Sequence, residues 1–424
     1  MREMKDSGIE WIGEIPVEWK TRKLFSLLSS MGSGTTPKGE EYYTNEGIPW
    51  LNTGDLNDGY INKTSKYVAD EALQDCSALQ IHKAGAVVIA MYGATIGKLG
   101  LTEIDLTTNQ ACCVMNPSNE LERKFLFYIL SSAKDYFVFS SYGAGQPNIS
   151  QNTIRQLKVP FTNIKEQQRI INYLDSKCSQ IDAIIEKQQA IIEKLKEYKL
   201  SVINEAVTQG INSDAEMKYS GCKWISDIPK HWKMVYAKQL FSQRKDRAFE
   251  NDEQLTSSQK YGIISQKEFM EIEGRQVMQV LKGEEILKHV EKGDFVISMR
   301  SFQGGLEYSE VSGKISSAYV MLIPNKDKVY DRYYKWLFKS KKYISALQGT
   351  SNLIRDGQAL RFSNFVQVYL PCFDIEEQKQ IADYLDKICP RLDNEIQKRE
   401  KFLQKIQEYK KSLIYEVVTG KKEV

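Results

Sequence analysis

Histidine is scarce in this chain. There are three in 424 residues (His82, His231 and His289), and no two stand at ligand spacing. Zinc sites draw on histidine and cysteine at short, regular intervals, so no metal site is expected. The seven cysteines include no CxxC; Cys112 and Cys113 are adjacent and the others are scattered. That excludes a disulfide framework and suits a reducing cytoplasm. No apolar run approaches the ~18–20 residues that span a bilayer. The opening MREMKDSGIEW carries charge with no apolar stretch behind it, so it is not expected to act as a secretion signal. Catalytic motifs are missing as well: there is no nucleophile elbow, no G-x-G-x-x-G after a strand and no Asn-Pro-Pro-aromatic run. The nearest approach is GATIGK (93–98), which follows VVIAMY. A phosphate-binding loop needs G-x-x-x-x-G-K-[ST]. Here the loop is one residue short, Leu99 stands where a hydroxyl should, and the matching place in the second half reads SFQGG. The segment reads as a tight turn after a buried strand, with Lys98 available to an external phosphate. No active site and no cofactor bound by this chain are expected.

What is present is repetition. EQQRIINYLD (166–175) returns as EQKQIADYLD (377–386), an offset of 377 − 166 = 211. At that offset, residues 160–208 and 371–419 agree at 21 of 49 positions. A second echo joins SGIEWIGEIPVEW (7–19) to SGCKWISDIPKHW (220–232), and its Ile-Pro and Trp residues suggest a small apolar lid on each globular part. A chain of 424 residues has room for two or three domains. The echoes divide this one into a globule (1–158), a helical region (159–210), a second globule (211–369) and a second helical region (370–424), with approximate two-fold symmetry. The tail VVTGKKEV would lead into MREMKDSGIEW much as AVTQGINSDAEMKYSGCKW does internally.

The helical regions carry the clearest periodicity. Ile181, Ile184, Gln188, Ile191, Leu195, Tyr198 and Val202 follow one another at steps of 3 and 4, an a/d seam with one polar interruption. Leu392, Ile396, Arg399, Phe402, Ile406, Tyr409 and Leu413 give a similar stripe. Each region predicts a short helix from Glu166 or Glu377, a break near Cys178 or Cys389, and then a helix of ~28 residues, about 42 Å long. Pro390 is placed in the first turn of the second long helix. Matching stripes in one chain can bury each other as an antiparallel coiled coil. Ile185, Ile192, Ile203 and Val207 fall outside that seam and are expected to need a partner.

The globules read as mixed α/β. GAVVIAMYG (85–93) and GDFVISMRS (293–301) predict buried strands, and residues 122–139 and 331–347 predict aromatic-rich helices. The fold class is therefore α+β, two mixed globules separated by paired long helices. Charge is uneven: residues 1–158 hold 15 basic and 18 acidic side chains, net −3, whereas 211–369 hold 25 and 19, net +6. Loops rich in Gly, Thr and Asn, with interleaved Tyr and Lys, form a vocabulary for reading base edges. Asn and Gln suit adenine; Arg and Lys suit guanine. The candidates are Thr36, Lys38, Tyr42, Tyr92, Lys98, Gln146 and Asn148 in the first globule. In the second they are Arg244, Lys245, Arg247, Arg300, Gln303, Arg355 and Gln358.

The order globule, helix, globule, helix, with P-x(5)-EQ-x-x-I-x-x-YLD at the start of both helical regions, resembles the DNA specificity subunit of type I restriction–modification systems. GDFVISMRSFQGG, GKISSAYVMLIP, GIPWLNTGDL and YGATIGKLG support the resemblance, which spans essentially the whole chain. It implies that each globule is a target recognition domain for one half of a bipartite site on double-stranded DNA. It implies that the paired helices space the readers and dock two methylation subunits, with restriction subunits as further partners where a system carries them. S-adenosylmethionine and catalysis would belong to those partners, which fits the missing active site. Two other classes remain open: an autonomous DNA-modifying enzyme, and a coiled-coil scaffold with no nucleic-acid role.

Overall fold

The computed structural model describes residues 2–141, 148–274, 286–350 and 360–424. It divides into two compact units, Met1–Gln189 with Lys401–Val424, and Ala190–Glu400.

In the first unit five strands lie in the order Leu28–Gly32, Cys112–Pro117, Val87–Ala90, Leu99–Thr102, Gly59–Ile61. All pairs are antiparallel except the last. The continuous apolar run 86–90 has a simple cause: both faces of its strand are covered. Val87 and Ile89 enter the main core with Cys113, Met115 and Leu101. Ala86, Val88 and Ala90 enter a second core with Leu51, Ile61, Leu106 and Val114. Alternate residues of a strand point to opposite faces, so a strand buried on both sides must be apolar throughout. Helix α1 (Arg123–Ser132) packs Phe125, Leu126 and Ile129 into the main core. The expected aromatic helix is two helices, broken at Ala133. The long helix α2 (Ile164–Gln209) follows.

The second unit repeats the plan. Its strands run Phe241–Arg244, Val320–Pro324, Phe295–Ile297, Glu307–Tyr308. Phe295 and Ile297 face the main core while Val296 faces a smaller one with Leu255, Val290 and Ile315. Helix α3 (Asp331–Lys339) is separated from the next helix by Ser340, whose hydroxyl accepts from the Tyr343 N–H at 3.3 Å. The second long helix, α4, spans Ile375–Val418.

The boundary between the units falls inside both long helices, so each unit owns an antiparallel helix pair. In the first, Asp182 meets Lys410 at 2.6 Å. In the second, Lys199 meets Asp393 at 2.6 Å and Lys196 meets Glu400 at 3.5 Å. Both long helices end on a left-handed glycine, Gly210 (φ +79°) and Gly420 (φ +75°), each lying under a buried lid tryptophan, Trp232 or Trp19.

Three expectations for the helices need correction. No break occurs at Cys178 or Cys389; α2 has 46 residues and α4 has 44. Both cysteines are buried in the pairing stripe instead. Pro390 is interior to α4, not in its first turn. The buried stripe passes on either side of it, from Leu385 and Cys389 to Ile396, and that packing carries the helix through. The seam itself is shifted at alternate positions. Ile184, Tyr198, Phe402 and Tyr409 are 40%, 54%, 44% and 52% exposed, and Ile191 is half-buried. Their neighbours Ile185, Ile192, Lys199, Leu403 and Lys410 take the inner places, and Ile203 and Val207 are buried as well. Ile181, Leu195, Val202, Leu392, Ile396, Ile406 and Leu413 keep the assigned face, as do the polar Gln188 and Arg399.

Ile192→Ala should therefore destabilise the protein by about 2–5 kcal/mol, the usual loss for a truncated core aliphatic. Ile184→Ala, on the exposed side, should stay within about 0.5 kcal/mol of the parent. Denaturant unfolding of both variants distinguishes the two faces.

Candidate nucleic-acid interface

The twice-written EQ…YLD motif mounts each globule on its long helix. Gln167 is fully buried. Its Oε1 accepts from the Glu122 N–H at 2.9 Å, and its Nε2 donates to the carbonyls of Glu120 (2.9 Å) and Thr162 (2.7 Å). Glu122 is the N-cap of α1, so the amide satisfies a backbone group at a helix start. Gln378 does the same in the second unit. It accepts from the N–H of Tyr330, the N-cap of α3, at 2.8 Å, and donates to Lys328 and Phe373 carbonyls at 2.9 Å. Eight residues on, Asp175 accepts from Lys124 Nζ (2.5 Å) and Tyr128 Oη (2.7 Å). Asp386 accepts from Arg332 Nε (2.7 Å) and Trp336 Nε1 (2.8 Å). The motif glutamates hold the lids: Glu166 pairs with Arg2 at 2.7 Å, and Glu377 accepts from Trp232 Nε1 at 3.1 Å. These charges shift their partners. The hydrogen bond to Asp386 raises the Arg332 pKa further above its ordinary value. Burial first, and then Asp175, raises that of Tyr128. The repetition of the motif is visible in the sequence, but the partners of its polar residues are set by the fold.

In each globule the central strand feeds a tight turn. In the first, Val87–Ala90 leads to the turn Gly93–Thr95 and then to Lys98, which is half-buried. Tyr92, 41% exposed, bridges Asn148 across the backbone. The Met91 N–H donates to the Ala111 carbonyl at 2.8 Å, and Thr36 Oγ1 donates to Gln110 Oε1 at 2.8 Å. Thr36, Tyr92 and Asn148 thus share one rim. Gln110 and Gln151 stand on it too, Gln151 through its 2.6 Å bond to Ser33. Neither was singled out from sequence; the only signal for Gln110 was its place in a Thr-Thr-Asn-Gln run. Lys38 is exposed, and Tyr42 is tied by its hydroxyl to Asp75 at 2.9 Å. Gln146 lies outside the described residues.

In the second globule, Phe295–Ile297 leads to the turn Ser301–Gly304, which carries exposed Arg300 and Gln303. Lys245 and Arg247 are exposed at the end of strand Phe241–Arg244. Arg244 is a correction. Its guanidinium is forked onto Asp294 (2.6 and 3.1 Å) and reaches Asp246 at 3.0 Å. Asp294 is nearly inaccessible, with 2% of its side chain exposed. The hydrogen bond to Asp294 raises the Arg244 pKa above its ordinary value, so the charge is committed to an internal pair. Arg355 and Gln358 lie outside the described residues.

Among the described residues no group of three or more His, Cys, Asp and Glu side chains could hold a metal ion. His289 is held between Asp252 (2.8 Å) and Glu291 (3.2 Å), and His231 by Glu377 at 2.8 Å. Burial pushes the thiols of Cys112 and Cys113 up to about 12, which makes both poor nucleophiles. Among the described residues no helix is long and apolar enough to cross a membrane.

Arg244→Ala strands a buried carboxylate and should cost about 3–5 kcal/mol of stability. Lys245→Ala, one residue on and exposed, should change stability by less than about 0.5 kcal/mol. Thermal unfolding of the two variants checks the assignment; equal melting would contradict it.

Known proteins place this architecture. A family model described as "Type I restriction modification DNA specificity domain" matches twice, at residues 16–198 and 229–406. The type I restriction enzyme MjaVIII specificity subunit of Methanocaldococcus jannaschii is 22% identical over 90% of this chain and 86% of its own. A solved structure titled for complex assembly and conformational transition of the type I R-M system shares the fold with TM-score 0.70 at 14% identity, covering 95% of this chain and 98% of that one. The HsdS subunit from Thermoanaerobacter tengcongensis superposes with TM-score 0.53, also at 14% identity, covering 96% and 98%. With both globules and most of both long helices inside the two matches, the chain belongs to the type I restriction modification DNA specificity domain family.

Proposed function

We propose that this protein is the reading subunit of a type I restriction–modification complex. Each globule reads one half of a bipartite target on double-stranded DNA, and the helices set an unread spacer between the halves. The observation that carries the reading is the double family match, one copy per globule with its share of helix. The segments around each central strand support it, because they offer polar and basic side chains: Tyr92 and Lys98 after one strand, with Thr36 and Asn148 on the same rim, and Arg300 and Gln303 after the other, with Lys245 and Arg247 following the strand Phe241–Arg244. Base-edge contacts would come from these segments. The −3 charge of residues 1–158 is unsuited to holding phosphates unaided. Partner subunits would supply much of that sequence-independent, salt-dependent term.

The chain itself would be non-catalytic and cytoplasmic. Two methylation subunits, each carrying S-adenosylmethionine, would transfer the methyl group, and restriction subunits would cleave. Exposed aromatics on the long helices support helix-mediated docking. Phe402 and Tyr409 stand one heptad apart on α4 and are about half exposed. Apolar side chains at heptad spacing in water are what a partner helix would cover.

Methylome sequencing of cells with and without this chain should show a split motif that disappears with it. Exchanging residues 1–158 for another globule of the family should change one half of that motif only. Motifs altered in both halves would refute independent reading. Phe402→Asp with Tyr409→Asp should reduce co-purification of the methylation subunit at least about ten-fold, the loss of roughly 1.4 kcal/mol of binding. The melting temperature of the chain alone should stay unchanged.

A further inference from the structure

The main core joins α1 to α2 through Phe125, Leu126, Ile129, Ile170, Ile171 and Leu174. Apolar contact of this kind is non-directional, so by itself it resists separation better than it resists rocking. Gln167 and Asp175 add directional bonds at two points about 12 Å apart along α2. One point of attachment leaves a pivot; two fix an angle. In the second unit Gln378 and Asp386 stand at the same two positions, and Arg332 reaches a further carboxylate, Asp383, at 2.9 Å. None of these four side chains belongs to a reading turn.

We propose that the Gln167–Asp175 and Gln378–Asp386 pairs are positioning residues that set how strictly the complex discriminates spacer length, without setting the bases of either half-site. The inference rests on the bipartite reading above. Lengthening a spacer by one base pair moves a half-site by about 3.4 Å and rotates it by roughly a tenth of a turn. A globule locked to its helix cannot follow. A globule released at one point can tilt toward the displaced site, and each bond lost lowers that resistance by up to about ten-fold.

The test uses the full chain with its methylation subunit in cells, and reads the methylome for sites with the parental half-sites and a spacer one pair longer or shorter. Gln378→Met keeps side-chain length and removes all three backbone bonds. Asp386→Asn removes one of the two charges that hold Arg332 but keeps an acceptor for Trp336. Asp175→Asn is the counterpart in the first unit. Methylation at off-length sites should rise about ten-fold relative to the parental spacer, with half-site sequences unchanged. Should Gln378→Met fail to fold, the two Asn variants decide the matter. Parental spacer stringency in both, or altered half-site bases, would overturn the proposal. A merely structural role would lower yield and melting temperature without changing the ratio of spacers. If the unaltered chain produced no split motif at all, the bipartite reading itself would fall.

Discussion

A carboxamide taken out of water must find partners for its polar atoms, and that constraint organises both halves of this protein. Gln167 and Gln378 are each fully buried, and each uses both amide hydrogens and its carbonyl oxygen. An unsatisfied buried amide would cost more than the bonds contribute, so the glutamine admits one arrangement of long helix, strand exit and globule helix. Around that fixed point the rest assembles. The leucine one residue before each motif aspartate is buried, the aspartate itself receives the globule helix, and the glutamate closes the lid. Six of the ten residues recur between the two copies, and the glutamate, glutamine and aspartate among them each hold a partner in both units.

The helical regions were legible in kind and off by one in register. Both stripes share Ile181, Gln188, Leu195 and Val202, and the choice lay between 184, 191, 198 and 185, 192, 199. Isoleucine occupies both members of the first two pairs, so hydrophobicity could not decide. At the third pair the sequence offers Tyr198 or Lys199, and the aromatic is the more apolar of the two. The structure chooses the lysine, whose stem lies along the seam while its ammonium reaches Asp393. The second helix held the tie-breaker: at the places equivalent to Ile184 and Ile185 it carries Glu395 and Ile396, and a carboxylate does not take a buried stripe position.

The globules were legible where burial leaves no freedom. Strands covered on both faces must be apolar at every residue, and 86–90 and 295–297 announce themselves that way. The interface was less legible, because residue type says nothing about whether a charge is already occupied. Arg244 looks like Lys245 or Arg247 in sequence; only the fold brings Asp294 beneath it. Thr36, Tyr92 and Asn148 are linked by the Thr36–Gln110 side-chain bond, the Met91–Ala111 backbone bond and the Tyr92–Asn148 backbone bridge, contacts between separate segments of the chain that no local pattern encodes. Gln110 on the same rim was hidden for the same reason.

The mounting and the reading surface answer to different physics, and this lets two dissimilar globules share one scaffold. Each buried glutamine binds backbone groups, which every residue except proline presents alike. In the first unit those groups belong to Glu120, Glu122 and Thr162, and in the second to Lys328, Tyr330 and Phe373. No side chain is common to the two sets, yet the bonds are the same. The aspartates ask only slightly more: two donors one helical turn apart, met by Lys124 with Tyr128 in one globule and by Arg332 with Trp336 in the other. A contact that reads main chain and donor count, not identity, leaves the turns beyond it free to differ. The recurrence of the gripping glutamine and aspartate and the strong divergence of the globules therefore follow from one cause. The helix grips what all chains have in common, and specificity is left to what they do not.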